Sequence, residues 1–145
     1  MAAFSVRIPF VEHLGFELEL FEGGESRLAW QPRPEHENSF SVTHGGACMT
    51  FLDVTMANAA RSVQPDMGVI TIEMNTHFMR PAPARGRLVG KGRLMHRTAT
   101  LAFTEATIYD EQGHACAHAT GTFRYVRRLP VGAKGVNDLN TISTD

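Results

Sequence analysis

Cysteine is scarce. Cys48 and Cys116 are the only two in 145 residues, too few for a disulfide framework. A reducing, cytoplasmic setting is the simplest reading of that scarcity, and one disulfide stays open. No apolar run reaches the ~18 residues that a membrane-spanning helix requires, so no membrane association is expected. The first ten residues, MAAFSVRIPF, lack the charged-then-apolar layout of a secretory signal. Net charge is −1, so no global field would gather nucleic acid or anionic lipid. Several catalytic motifs are also missing. There is no G-x-S-x-G nucleophile elbow and no H-E-x-x-H, and Gly86 to Gly92 has the wrong spacing and ending for a phosphate-binding loop. His114 and His118 read as sharing a strand face, where four residues separate them by ~13 Å. Zinc ligands sit ~2 Å from one ion, so neither a metal nor a cofactor is expected.

What is present is a chain that can bury a core, 43% hydrophobic and 20% charged, of a length that suits one domain. Pro9 to Leu14 reads as a short helix stopped by Gly15. Alternation of Phe16, Leu18 and Leu20 predicts a strand, Gly23-Gly24 a tight turn, and Ser26 to Gln31 the returning strand of a hairpin. Pro32, Pro34, Asn38 and Ser39 mark a loop. Thr43 to Ser62 is free of proline and apolar on nearly every side of a helical wheel, which predicts the one long, buried helix. After Pro65-Asp66 strands return: Val69 to Thr76, Leu88 to His96, Thr98 to Tyr109 and, beyond the turn Asp110 to Gly113, Ala115 to Val126. Residues 1–128 therefore read as a single α+β domain, one long central helix wrapped by a curved antiparallel β-sheet. Residues 129–145 read as a polar, loosely ordered tail. One sheet covers one side of its helix, so a second copy is expected on the other.

Asp53 stands in the middle of that helix, with Met49, Met56, Ala57 and Ala60 as neighbours on the wheel. A carboxylate in such company costs ~2–5 kcal/mol unless it is hydrogen-bonded or functional. The structural alternative is a buried Asp bonded to a backbone group or an arginine. The helix opens with Thr43-His44-Gly45-Gly46, where glycines admit a ligand close to the backbone and free N–H groups can hold an oxyanion. A softened loop-to-helix junction would look the same. His44 and Asp53 are nine residues apart, which is ~13 Å of helix rise, so one chain cannot place both around one atom. Two antiparallel helices across a two-fold axis can.

The set Asn38-x5-His44-Gly45-Gly46-x6-Asp53 resembles the signature of the PaaI-like acyl-CoA thioesterases of the hotdog superfamily. Gly68-Val-Ile-Thr-Ile-Glu-Met-Asn75, Phe78-Met-Arg-Pro81 and Gly121-Thr-Phe123 extend the resemblance over roughly residues 12–126. It implies a hotdog fold and hydrolysis of an acyl-CoA or aryl-CoA thioester, with coenzyme A as part of the substrate. It also implies a homo-oligomer, a dimer or a dimer of dimers (a homotetramer), whose active site is shared between subunits. By the same resemblance Asp53 is the nucleophile or the general base for water, and the Gly45 N–H binds the thioester oxygen. Asn38 and His44 orient the acyl group or the water, and Thr71 contacts that water or Asp53. The family usually carries a glycine near the Arg97-Thr98 turn, which this chain lacks.

Between Met74 and Thr104 there is no acid, yet Arg80, Arg85, Arg87, Lys91, Arg93 and Arg97 all fall there. Arg80, Arg85 and Arg97 are expected to form an electropositive rim for the phosphates of coenzyme A; solvated strand faces would give the same pattern. Cys48 follows His44 by one helical turn, so a Cys–His pair is conceivable beside the plainer role of a small buried residue. A non-catalytic acyl-CoA binder and a hotdog hydratase or dehydratase remain as alternatives to the hydrolase.

Overall fold

The computed structural model describes residues 3–127; the tail expected over 129–145 lies outside them. Helix α1 (Pro9–Leu14) ends at Gly15, whose φ of 81° is left-handed. Strands β1 (Glu17–Glu22) and β2 (Glu25–Trp30) form the expected hairpin, with Gly23 and Gly24 at φ 61° and 87°. That pair of positive angles belongs to the two-residue turn that matches strand twist. A 3-10 turn, Pro34–His36, interrupts a loop whose sequence carries only turn signals. Helix α2 follows (Gly45–Arg61), then β3 (Met67–Phe78), β4 (Leu88–Arg97), β5 (Leu101–Tyr109) and β6 (Ala115–Arg127). The strands make one antiparallel sheet in the order β1-β2-β4-β5-β6-β3. This sheet wraps α2, so the α+β hotdog expectation holds.

Helix and sheet meet through Phe51, Leu52, Met56, Ala59 and Ala60, all fully buried. The approach is close because β4 presents glycine to the helix. A Cβ on Gly92 would lie 2.5 Å from Ser26 Oγ and 2.8 Å from the Thr55 carbonyl oxygen. Ser26 Oγ uses that space to donate to the same carbonyl at 2.6 Å, and Tyr125 Oη donates to the Ala60 carbonyl at 2.7 Å. Both bonds divert helix carbonyls to the sheet and fix the rotation of α2 about its axis.

Four expectations need correction. First, α2 is not buried all round: Met49 is 38% exposed, and Asp53, Val54 and Ala57 are half-buried, because the sheet covers one side only. Second, β3 changes phase. Unbroken alternation over Val69 to Thr76 would put Thr71 and Glu73 on one face, but a bulge skips Ile72 between them, so Glu73 lies on the outer face, where it accepts from Thr122 Oγ1. Third, β5 begins at Leu101, not Thr98. Thr98 Oγ1 accepts the N–H groups of Thr100 and Leu101 at 3.3 and 3.0 Å, a side-chain turn that holds this bend without glycine. Fourth, His114 precedes β6 and contacts Arg80 and Asp110, whereas His118 sits within β6 and pairs with Glu105, so the two do not share a strand face.

Candidate active site

Asp53 projects from the middle of α2 toward β3, where Thr71 Oγ1 donates to its Oδ1 at 2.7 Å. The bulge at Ile72 directly follows Thr71, a position where such irregularities commonly re-aim a side chain. The carboxylate opens on a cleft of about 350 Å³ lined by apolar Val54, Ala57, Val69 and Phe123 and by polar Thr50, Asn58 and Arg61. Burial raises the Asp53 carboxyl pKa from its ordinary value, and the Thr71 hydroxyl partly offsets this by favouring the anion. Phe4, Val6, Ile8 and Phe10 close one side of this cleft. The sequence reading does not single out that segment, although the alternation of Phe4, Val6 and Ile8 is a signal that could have found it.

A second cleft, of about 440 Å³, lies at the start of α2 and includes Asn38, Gly45, Cys48, Phe78, Arg80 and Cys116. His44 caps the helix: its Nδ1 accepts the Gly46 N–H at 2.8 Å. That bond leaves Nδ1 without a proton, so the neutral ring carries its hydrogen on Nε2. The Gly45 N–H, an orphan of the first turn, has no protein acceptor among the described residues and borders the cleft. Asn38 Oδ1 accepts the N–H groups of Phe40 and Val42 at 2.9 and 3.2 Å, so its carbonyl shapes the loop and its amide N–H₂ is what remains for a ligand. The loop is pinned further by Thr43, whose N–H and Oγ1 donate to the carbonyls of Ala82 and Pro83 at 3.0 and 2.7 Å.

Within one chain, then, the expected residues fall into two groups. Asp53 and Thr71 share one cleft; Asn38 and Gly45 line the other, eight residues and about 12 Å along the helix from Gly45 to Asp53, while His44 caps the helix beside Gly45 without lining that cleft. The cations divide as well. Arg80 lines the second cleft, with Nη1 3.0 Å from His114 Nδ1. Arg85 borders grooves by Gly86 and Glu111. Arg97 lies at the opposite end of β4, its guanidinium 4.4 Å over the Tyr125 ring. Arg87 and Arg93 are engaged by Glu19 and Glu105. Within the chain Arg80, Arg85 and Arg97 do not form one rim.

Cys48 is 2% exposed, and burial pushes its thiol up to about 12, which leaves almost no thiolate for a Cys–His nucleophile. Trp30, Phe51, Leu52 and Met56 fill the core, while Phe78 lines the second cleft. Among the described residues no three His, Cys, Asp or Glu side chains are grouped to hold a metal ion. No helix there is long and apolar enough to cross a membrane.

Comparison with known proteins bears on this arrangement. The sequence model of the thioesterase superfamily matches residues 40–117, just over half of the chain. A candidate esterase of Saccharolobus solfataricus is 31% identical over 113 residues, covering 78% of this chain and 79% of that protein. Among solved structures, the E. coli PaaI protein from the phenylacetic acid degradation operon superposes with a TM-score of 0.75 at 18% identity, over 79% of this chain and 82% of that one. A thioesterase from Haemophilus influenzae does so with a TM-score of 0.75 at 18% identity, over 86% and 87%. At those identities the two structures share the fold.

Proposed function

The chain belongs to the thioesterase superfamily, and from that premise we propose that it hydrolyses an acyl-CoA or aryl-CoA thioester at a site completed by a second copy of itself. The observation that carries this reading is the Asp53 carboxylate, its pKa raised by burial, held by Thr71 and open to a cleft that is mostly, not wholly, apolar. A structural aspartate would be closed off by backbone donors or an arginine. Asp53 has one hydroxyl partner and an accessible cleft, the environment of a group tuned for proton or acyl transfer.

Its complement is the start of α2. The Gly45 N–H and the positive end of the helix dipole suit the oxygen of a thioester carbonyl as it gains charge. A two-fold axis running between antiparallel copies of α2 would bring Gly45 of one subunit opposite Asp53 of the other, closing the ~12 Å gap that separates them within a chain. The half-exposed stripe of Met49, Asp53 and Ala57 is the face such a partner would cover.

The chemistry follows in either of two ways. Asp53 attacks the carbonyl carbon, the oxyanion collapses with cleavage of the C–S bond, coenzyme A leaves as thiolate, and water hydrolyses the mixed anhydride. Alternatively Asp53 takes a proton from water, whose oxygen attacks the same carbon. Asn38, through its amide N–H₂, and His44, through Nε2–H, would orient the acyl oxygen or the water. Arg80, beside the Gly45 cleft, is the cation best placed for a coenzyme A phosphate.

Thiol release from a panel of short, medium, long and aryl acyl-CoAs tests the reading. Wild type turns over at least one class, and Asp53→Asn lowers kcat by ~10²–10⁴. Full activity in Asp53→Asn, or silence of the wild type across the panel, would overturn it.

A further inference from the structure

We propose that His36 is a positioning residue for this reaction: its neutral imidazole holds the loop that anchors the first turn of α2, and a second proton on the ring releases that anchor. The proposal rests on the thioesterase reading for its activity readout, and on backbone geometry alone for its second readout.

His36 is 6% exposed and ties three elements together. Its Nδ1 accepts the Arg33 N–H at 3.0 Å. Its carbonyl accepts the His44 N–H at 2.7 Å, and His44 is the cap that immediately precedes Gly45. Its ring packs on Trp30 of β2 with centroids 5.6 Å apart. Between the two histidines the loop is closed by the Glu37–Thr43 bridge and by the Asn38 N–H donating to the Val42 carbonyl at 2.8 Å. The Gly45 N–H is thus one peptide away from a residue hydrogen-bonded to His36.

Accepting at Nδ1 requires a lone pair there, so the hydrogen of the neutral ring is on Nε2. Nε2 is itself buried and has no partner among the described residues, and the same is true of Trp30 Nε1. A second proton would remove the only acceptor the ring offers and set two donors, Nδ1–H and Arg33 N–H, against each other. It would also place a cation in a sealed site. The charged groups that face it are Arg33 and Glu35 on its own turn and His13 from α1. Glu35 is already paired with Arg33 at 2.6 Å, and β2 contributes only the uncharged Trp30 ring. Burial, then Arg33, holds the His36 pKa below its ordinary value. The clamp is therefore intact above the unfolded-state value near 6.5 and weakens as pH falls toward the lower folded-state value.

Two variants separate positioning from packing. Asn in place of His36 offers Oδ1 near the position of Nδ1 and does not titrate; Phe keeps a ring and offers no acceptor. His36→Phe should lower kcat at pH 8 about ten- to a hundredfold, as misplacing a catalytic group does, with KM little changed. His36→Asn should restore most of that turnover. On the acid side log kcat should fall with a slope approaching two in the wild type, from His36 and Asp53 together, and one in His36→Asn. Independently of activity, hydrogen exchange at the His44 amide should accelerate at least about tenfold in His36→Phe and in the wild type at acid pH, after correction for intrinsic rates, but not in His36→Asn. Unchanged kcat in His36→Phe, or loss of His44 protection in acid that persists in His36→Asn, would overturn the proposal. Should His36→Phe fail to fold, the wild type and His36→Asn still decide it. A wild type that hydrolyses no acyl-CoA defeats the thioesterase reading, and hydrogen exchange at His44 then decides the role of His36 by itself.

Discussion

Replacing Gly45 with proline removes one N–H and changes little else. Gly45 is the first residue of α2, the position where proline's fixed φ and missing N–H suit a helix. The preceding residue must be extended, and His44 already is, at φ −60° and ψ 135°. A Cβ at Gly45 meets the Phe78 ring at 3.4 Å, an ordinary contact. Since the Gly45 N–H has no protein acceptor among the described residues, no internal bond is lost. Folding stability should therefore change by less than about 1 kcal/mol, and lowered chain entropy in the unfolded state favours an increase. Catalysis should respond quite differently. Deleting one oxyanion donor costs about 10²–10³ in kcat, or about 2.7–4 kcal/mol. Gly45→Ala, which keeps the N–H, is the control and should retain most of the turnover. The assay is steady-state thiol release on the best acyl-CoA from the panel, run beside thermal melts of all three proteins. An unmoved Tm with a hundredfold loss for proline alone supports the assignment. A Gly45→Pro enzyme within about threefold of wild type, equally stable, would refute the claim that this N–H stabilises the transition state.

Three further outcomes follow from the same geometry. Thr71→Val deletes the donor to Asp53 Oδ1, so the carboxyl pKa should rise further and the acid limb of kcat against pH should move to higher pH; a limb that stays in place would separate Thr71 from the chemistry. Because burial raises the Asp53 pKa, the stability contributed by its protonated form is complete below the unfolded carboxyl value and is lost as pH rises through the folded one. Asp53→Asn should therefore melt higher than wild type at pH 8, and the gap should close near pH 4; a gap independent of pH would count against an ionised, partly desolvated Asp53. Gly92→Ala forces a methyl to within 2.8 Å of the Thr55 carbonyl oxygen and 2.5 Å of Ser26 Oγ. Overpacking of this kind costs about 1–3 kcal/mol, which at about 4 °C per kcal/mol for a chain of this length is visible in a melt.

The elements legible in the sequence are those whose signal is local. Gly23-Gly24 set the first hairpin and Asp110 with Gly113 the last turn, through positive φ that few residues but glycine allow, and the proline-free stretch after His44 sets α2 by holding nothing that breaks a helix. Asp53 and Thr71 are legible as a pair only through the resemblance; spacing alone places neither. What stays hidden depends on partners far along the chain. Nothing in Thr71-Ile72-Glu73 marks a bulge, because the phase of β3 is decided by its register with β6. The run of cations looks like one patch, yet Glu19 and Glu105, outside that run, engage two of them, and strand direction carries Arg97 to the far end. His36 gives no sign at all: its importance comes from a carbonyl that meets the His44 N–H eight residues on.

The central claim, that each site joins the carboxylate of one subunit to the helix terminus of another, is tested most directly by subunit complementation. Asp53→Asn and Gly45→Pro proteins, each nearly inactive alone, are unfolded together, refolded as a mixture and assayed for thiol release. If sites are shared across a two-fold axis, half of the dimers are hybrids, and each hybrid holds one site with both groups intact, so the mixture recovers about one-quarter of wild-type activity. A mixture no more active than its two components would contradict the account.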